Sequence, residues 1–149
     1  LSVLISDNLG LDTSTAALNL YAKADLYNYQ NNDSLAYAYY DSILELFPDN
    51  LTLLDDVYVM QARIHVKNKK WGDAIHRYQK AIEYNDLLKD DALYEMGVIY
   101  QDILKEPEKA LSCFEEIIVN HQDSFYAFEA RKKFRLLRGD FGENTLEVK

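Results

Sequence analysis

One register recurs three times along this chain and limits what it can fold into. Ala24-Asp-Leu-Tyr27 is followed by Ala36-Tyr-Ala-Tyr-Tyr40-Asp-Ser-Ile43. Ala62-Arg-Ile-His65 is followed by Ala74-Ile-His-Arg-Tyr78-Gln-Lys-Ala81, and Gly97-Val-Ile-Tyr100 by Ala110-Leu-Ser-Cys-Phe114-Glu-Glu-Ile117. Each unit has a small residue, a ring three positions later, and then alanine, aromatic and apolar residues at i, i+4 and i+7. The separations from first small residue to second alanine are 12, 12 and 13. Small residues let two helix backbones approach closely, and an aromatic one turn away fills the adjacent gap. The i, i+4, i+7 spacing places these residues on one helical face. A single helix pair cannot bury that face alone, so the copies are expected to stack.

The punctuation between the apolar stretches agrees. Asn31-Asn32-Asp33-Ser34 turns the first pair and caps its second helix. Pro48 ends that helix and Asp49-Asn50 continues the turn. Asn68-Lys-Lys70 precedes the second helix of unit two, Asp90-Asp91 opens the next, and Pro107 suits a first helical turn. The pattern predicts an all-α fold with seven helices near 14–30, 34–47, 53–68, 71–85, 91–104, 107–120 and 124–138. The last is expected to cap the array, with Asp123-Ser124 at its start and Phe125, Phe128, Ala130, Phe134 and Leu137 on its apolar side. Residues 1–13 read as an N-terminal extension or the end of an upstream element, 14–138 as the repeat domain and 139–149 as a tail. A chain that opens on Leu1 rather than methionine reads as a fragment or a processed product.

Charge is spread unevenly over the 149 residues. Residues 1–57 hold nine acids against Lys23 alone, while Arg131, Lys132, Lys133, Arg135 and Arg138 crowd the last helix. With a net charge of −9, the chain lacks the basic footprint that phosphate neutralisation requires, so nucleic acid is not an expected partner. No apolar run approaches the ~18–20 residues that a membrane helix needs, so this segment is not expected to insert. The single Cys113 excludes a disulfide scaffold and reads as a packed thiol.

Other motifs reduce to plain readings. Asp140-Phe-Gly142 spells a kinase metal-binding triplet without a catalytic loop, phosphate loop or strand pattern around it. Asn50-Leu-Thr52 is a short glycosylation sequon. His65, His76 and His121 never fall at i, i+4 with another nitrogen or sulfur ligand, so no metal site is expected. No cofactor motif and no local serine–histidine–carboxylate grouping is present, so the expectation is a protein that is not an enzyme.

The repeated motifs carry a family resemblance. Over about residues 17–122 the chain resembles tetratricopeptide-repeat proteins, and Leu44-Glu-Leu-Phe-Pro-Asp49 is a typical unit ending for them. The periods, 38 from Ala36 to Ala74 and 36 from Ala74 to Ala110, exceed the usual ~34. That length, together with Asp90-Asp91-Ala-Leu-Tyr-Glu-Met-Gly97, resembles a bacterial envelope subgroup that includes outer-membrane-assembly lipoproteins and cell-division coordinators. His65 departs from the usual tyrosine, Lys23 and Gln61 fill positions usually apolar, and Asp86 and Gln122 stand where proline often ends a unit.

The resemblance implies a right-handed α-solenoid of three antiparallel helix pairs plus the capping helix. It also implies a non-enzymatic scaffold whose concave groove binds a peptide or partner protein, and a bacterial envelope or periplasmic setting ahead of the cytoplasm. Residues three before and one or four after each small residue lie roughly 40–100° around the helix, and by resemblance that stripe lines the groove. It reads Tyr21, Asp25 and Asn28, then Val59, Arg63 and Val66, then Tyr94, Val98 and Gln101, with Tyr29, Lys67 and Asp102 at its edge. The basic ring that captures acidic chaperone tails in this family is absent. The matching positions read Leu18, Tyr21, Ala22, Asp25 and Asp56, Val59, Met60, Arg63. A different reading is self-association, or packing on the rest of a longer polypeptide, through the acidic first third and the basic last helix.

Overall fold

The computed structural model describes residues 11–84 and 89–139, and these form seven helices with no strand among them. The chain divides into two compact units, Leu1–Asn85 and Asp86–Lys149. The first contains α1 (Leu11–Tyr29), α2 (Asp33–Leu46), α3 (Leu51–Lys67) and α4 (Trp71–Tyr84). The second contains α5 (Lys89–Val98, continued by a π-turn over Ile99–Ile103), α6 (Pro107–Asn120) and α7 (Ala127–Arg138). Consecutive helices pack on one another within each unit. The expected segments 1–13 and 139–149 fall largely on residues 1–10 and 140–149, outside the described residues; α1 begins at Leu11.

The small-residue ladder sits where the spacing puts it. Ala24, Ala36, Ala62, Ala74 and Ala110 are fully buried, and Gly97 is buried with them. Their aromatic partners Tyr40, Tyr78 and Phe114 are among the largest fully buried side chains. In the first unit Ala17, Ala24, Ala36, Tyr40, Ile43, Leu53, Val57 and Ile64 form one apolar core.

Each helix pair turns through a non-glycine residue in the left-handed region: Asn31 (φ 61°), Lys69 (φ 59°) and Lys105 (φ 57°). Asn32 then caps α2 by accepting from Leu35 N–H. The closing hydrogen bond exposes an irregularity within the third pair. Asn32 N–H donates to Tyr27 C=O and Lys70 N–H to His65 C=O, five residues apart, whereas Glu106 N–H donates to Tyr100 C=O, six apart. Tyr27, His65 and Tyr100 are the rings at equivalent positions, so unit three holds one extra residue between Tyr100 and Glu106. The helix absorbs it as the π-turn, in which Leu104 N–H reaches Ile99 C=O. The 13-residue spacing is this insertion.

Removing Asp102, which is exposed within the π-turn, restores the 12-residue spacing. It is expected to leave the unfolding free energy within about 1 kcal/mol of the parent. Removing Val66 from α3 instead rotates the following turn by about 100° against its partner helix and is expected to cost more. Urea denaturation of both deletions checks this; equal losses would show that the π-turn is not an absorbed insertion.

Two expectations are corrected at the C-terminal end. The last helix begins at Ala127 rather than Ser124, because the Ser124 hydroxyl is engaged in a turn: its oxygen accepts from Tyr126 N–H at 3.0 Å and its proton goes to Asp90. The face that α7 buries is built from Ala127 and Ala130, with Phe134 and Leu137 half-buried. Phe125 and Phe128 are 90% and 69% exposed, since Phe125 precedes the helix and Phe128 lies about 100° around it from Ala127.

Candidate functional site

The first helix of each repeat carries the candidate stripe. In the first unit, Tyr21 on α1 is half-buried, its ring set edge-on against Tyr40 of α2 with centroids 5.6 Å apart. The buried Tyr40 hydroxyl donates to Asp25, one turn along α1 from Tyr21. That bond leaves the Asp25 carboxylate held beside the Tyr21 ring. Asp56 and Arg63, seven residues apart on α3, complete the group. Burial raises the pKa of the Tyr21 phenol most, Asp25 and Asp56 raise it further, and Arg63 opposes them. Tyr21 therefore remains a hydrogen-bond donor across the physiological range. The fold thus gathers Tyr21, Asp25 and Arg63 from two successive first helices. Asp56 belongs with them, and its position seven residues before Arg63 was the sequence signal for it.

Asn28 and Lys67 form a second polar group at the far end of the same two helices. Lys67 Nζ lies 2.7 Å from Asp33 Oδ1 and 3.4 Å from Asn28 Oδ1, and Asn68 donates to Asp33 Oδ2 at 3.0 Å. Burial pushes the Asp33 pKa up, but the hydrogen bonds from Lys67 and Asn68 outweigh it and hold the carboxyl below its usual range. Val66 is half-buried. Val59 is only 1% exposed, so it offers no surface to a ligand. It belongs to the packed side of α3 because Val57, Val59, Gln61, Ala62 and Ile64 are all buried there, leaving Arg63 exposed among them.

In the second unit Tyr94 is half-buried and stacked on Tyr126, with centroids 4.5 Å apart, and tilted against Phe114. Tyr94 is thus in part a packing residue. Val98 and Gln101 are half-buried, and Gln101 Oε1 is buried without a hydrogen-bond partner. Asp102 and Tyr29, expected at the edge of the stripe, are exposed. His65, which stands where the repeat usually has tyrosine, packs edge-on to Tyr37 with its Nε2 3.0 Å from the hydroxyl. Burial lowers its pKa. Cys113 is a buried thiol whose pKa burial pushes up to about 11, well away from nucleophilic reactivity at neutral pH.

Adjacent acids on a helix point apart, so Asp55 and Asp56 read from the sequence as solvated faces, but Asp55 is buried. It is 1% exposed, its Oδ1 accepts from Asp56 N–H at 2.9 Å, and its Oδ2 has no hydrogen-bond partner. Burial raises its pKa. A carboxyl whose folded pKa lies above its unfolded value binds protons more tightly when folded. Its ionisation penalty therefore grows as pH rises from the usual carboxylate range through the folded pKa, and it is absent below both. Asp55→Asn is expected to stabilise the protein by about 1 kcal/mol at pH 7. The gain should shrink to nothing as pH falls towards 4. Urea titrations of both proteins across that range read the difference, and a variant less stable at every pH would contradict it.

Among the described residues there is no grouping of histidine, cysteine and carboxylates able to hold a metal, and no helix long and apolar enough to cross a membrane.

Repeated antiparallel helix pairs, a buried small-residue ladder and polar first-helix faces define an all-α helical-repeat fold. The family model described as tetratricopeptide repeat matches residues 19–50 and 91–124. No relative is found among curated proteins. Among solved structures, the Arabidopsis OM64 TPR domain is similar at 18% identity and a TM-score of 0.63, covering 83% of this chain and 97% of that one. YrrB, described as a TPR protein with an unusual peptide-binding site, is similar at 24% identity and a TM-score of 0.63; 85% of this chain and 60% of YrrB are covered. MamA is similar at 19% identity and a TM-score of 0.51, over 91% and 87% of the two chains. These likenesses support the fold.

Proposed function

We infer that the chain is a non-enzymatic scaffold that binds a protein or peptide partner along the first-helix faces of its repeats. The observation that carries this reading is the gathering of Tyr21, Asp25, Asp56 and Arg63 on α1 and α3. Tyrosine and arginine are the residue types that most often dominate interface energy. Here the tyrosine is held by Tyr40, so little entropy is lost when a partner docks on it. Tyr94, Val98 and Gln101, all half-buried, occupy the same register in the third repeat. YrrB, a repeat protein of the same fold, is described by its peptide-binding site, which agrees with this use.

The ligand that suits these side chains is an extended or helical peptide with apolar anchors and an acidic group that meets Arg63. Acidic chaperone tails are not expected to bind, because Leu18, Ala22, Asp25 and Asp56 stand where a basic ring would be needed.

A pull-down with Tyr21→Ala, Arg63→Ala and Tyr94→Ala combined tests the reading. The folded triple variant is expected to lose its partner, with a loss on the order of 2 kcal/mol or more in affinity. Retention of every partner would remove these faces from consideration.

A further inference from the structure

A second surface lies in the second unit, apart from the first-helix faces. Between α6 and α7 runs a cleft of about 340 Å³. Its floor is Ile118, Val119 and Phe134, and one wall carries Arg131, Arg135 and Arg138. The three arginines fall at i, i+4 and i+7, so they form a row about 10 Å long on one side of α7. Arg138 lies over the Phe134 ring, 5.0 Å from its centroid, which places a guanidinium at the rim of the apolar floor. Val119 is 57% exposed on the floor, and Phe128, 69% exposed, stands one turn before Arg131. Glu115 of α6 also lines the cleft.

We propose that this cleft docks an amphipathic α-helix of a partner protein, with an apolar ridge flanked by acidic residues on one side only. The furrow between two packed helices accepts a third helix by the same ridge-in-groove fit that joins the first two. The apolar ridge covers Ile118, Val119 and Phe134. Carboxylates two turns along the flank facing α7 meet Arg131, Arg135 and Arg138, whose planar guanidiniums pair with carboxylates in a bidentate way. Glu115 repels acids on the other flank, so a helix acidic all round fits poorly. A concave floor with charge on one wall also suits a side-chain ridge better than the plane of a bilayer.

The test uses the full chain and a labelled 18-residue designed helix with a leucine ridge, glutamates on one flank and glutamines on the other. A second peptide carries lysine in place of each glutamate. Fluorescence anisotropy is expected to show saturable binding of the acidic peptide alone, weakened by added salt. Arg131→Gln combined with Arg135→Gln is expected to weaken it by about tenfold or more, with an unchanged circular dichroism spectrum. Tyr21→Ala with Arg63→Ala should leave it unchanged, which separates this site from the first-helix faces. Absence of binding, equal binding of the lysine peptide, or equal binding by the arginine variant would each overturn the proposal. So would a concentration-dependent sedimentation shift that the arginine variant abolishes, which would assign the cleft to a second copy. Tighter peptide binding after alanine replaces Asp140, Glu143 and Glu147 would assign it to the chain's own last residues. Arginine-dependent capture by phosphatidylserine vesicles without peptide binding would assign it to a membrane surface.

Discussion

Gly97→Ala is expected to destabilise the second unit by about 1–3 kcal/mol. The sign is the informative part, because replacing a glycine inside a helix by alanine ordinarily stabilises by up to ~1 kcal/mol. A methyl group on Gly97 would lie 2.6 Å from Cε1 and 2.9 Å from Cζ of Phe114, and 3.2 Å from Cβ of Cys113. The Phe114 ring is fully buried and has nowhere to swing. Gly72, in the first turn of α4, is the matched control: a methyl there meets nothing within 4 Å, so Gly72→Ala should be neutral or stabilising. Ala74→Leu probes the same ladder in the first unit, where the alanine is fully buried, and should also cost about 1–3 kcal/mol. Combining Gly97→Ala with Phe114→Leu should return part of the loss, since the two residues share one contact. Chemical denaturation reads all four variants. A Gly97→Ala protein as stable as the parent would mean that α5 and α6 do not meet through this glycine.

Tyr40→Ala is expected to cost about 3–5 kcal/mol, the range for emptying a buried aromatic site. Tyr40 is fully buried in the first unit's core, and its ring supports Tyr21. Tyr40→Phe keeps the ring and removes only the hydroxyl that donates to Asp25. It should cost about 0.5–1.5 kcal/mol. The pair of substitutions separates two roles: the ring holds the fold, and the hydroxyl orients Asp25 beside Tyr21. Thermal melts give the stabilities. If Tyr40→Phe were as damaging as Tyr40→Ala, the hydroxyl rather than the ring would be the main support.

Most of the fold was legible because close helix contacts need small residues, and small residues at a fixed spacing are visible in one sequence. The turns were legible for the same reason: Asn32, Pro48 and Pro107 each act on the backbone beside them. What escaped depended on neighbours distant in sequence. The 13-residue spacing of the third unit was countable, but that α5 would absorb it as a π-turn is a matter of how Lys105 must meet the next helix. The start of the last helix escaped as well: Ser124 accepts from Tyr126 N–H in a turn and donates to Asp90, 34 residues earlier, and α7 begins only at Ala127. Angular position on α3 put Val59 on the same stripe as Arg63, yet one is buried and the other exposed. Spacing gives direction around a helix and not what stands opposite. The same limit applies to Tyr94, whose stacking on Tyr126 crosses to a different element. Asp55 had no sequence signal, since nothing local distinguishes a buried aspartate from its exposed neighbours.

The central claim is that partners dock on the first-helix faces, and site-specific photocrosslinking tests it most directly. A benzophenone amino acid is placed at Tyr21, at Arg63, and at Gln79, which is exposed on α4. The account predicts one shared crosslinked partner from positions 21 and 63, lost when the remaining residue of that pair is changed to alanine, and no such product from position 79. The same partner crosslinking from position 79 with none from 21 or 63 would contradict it.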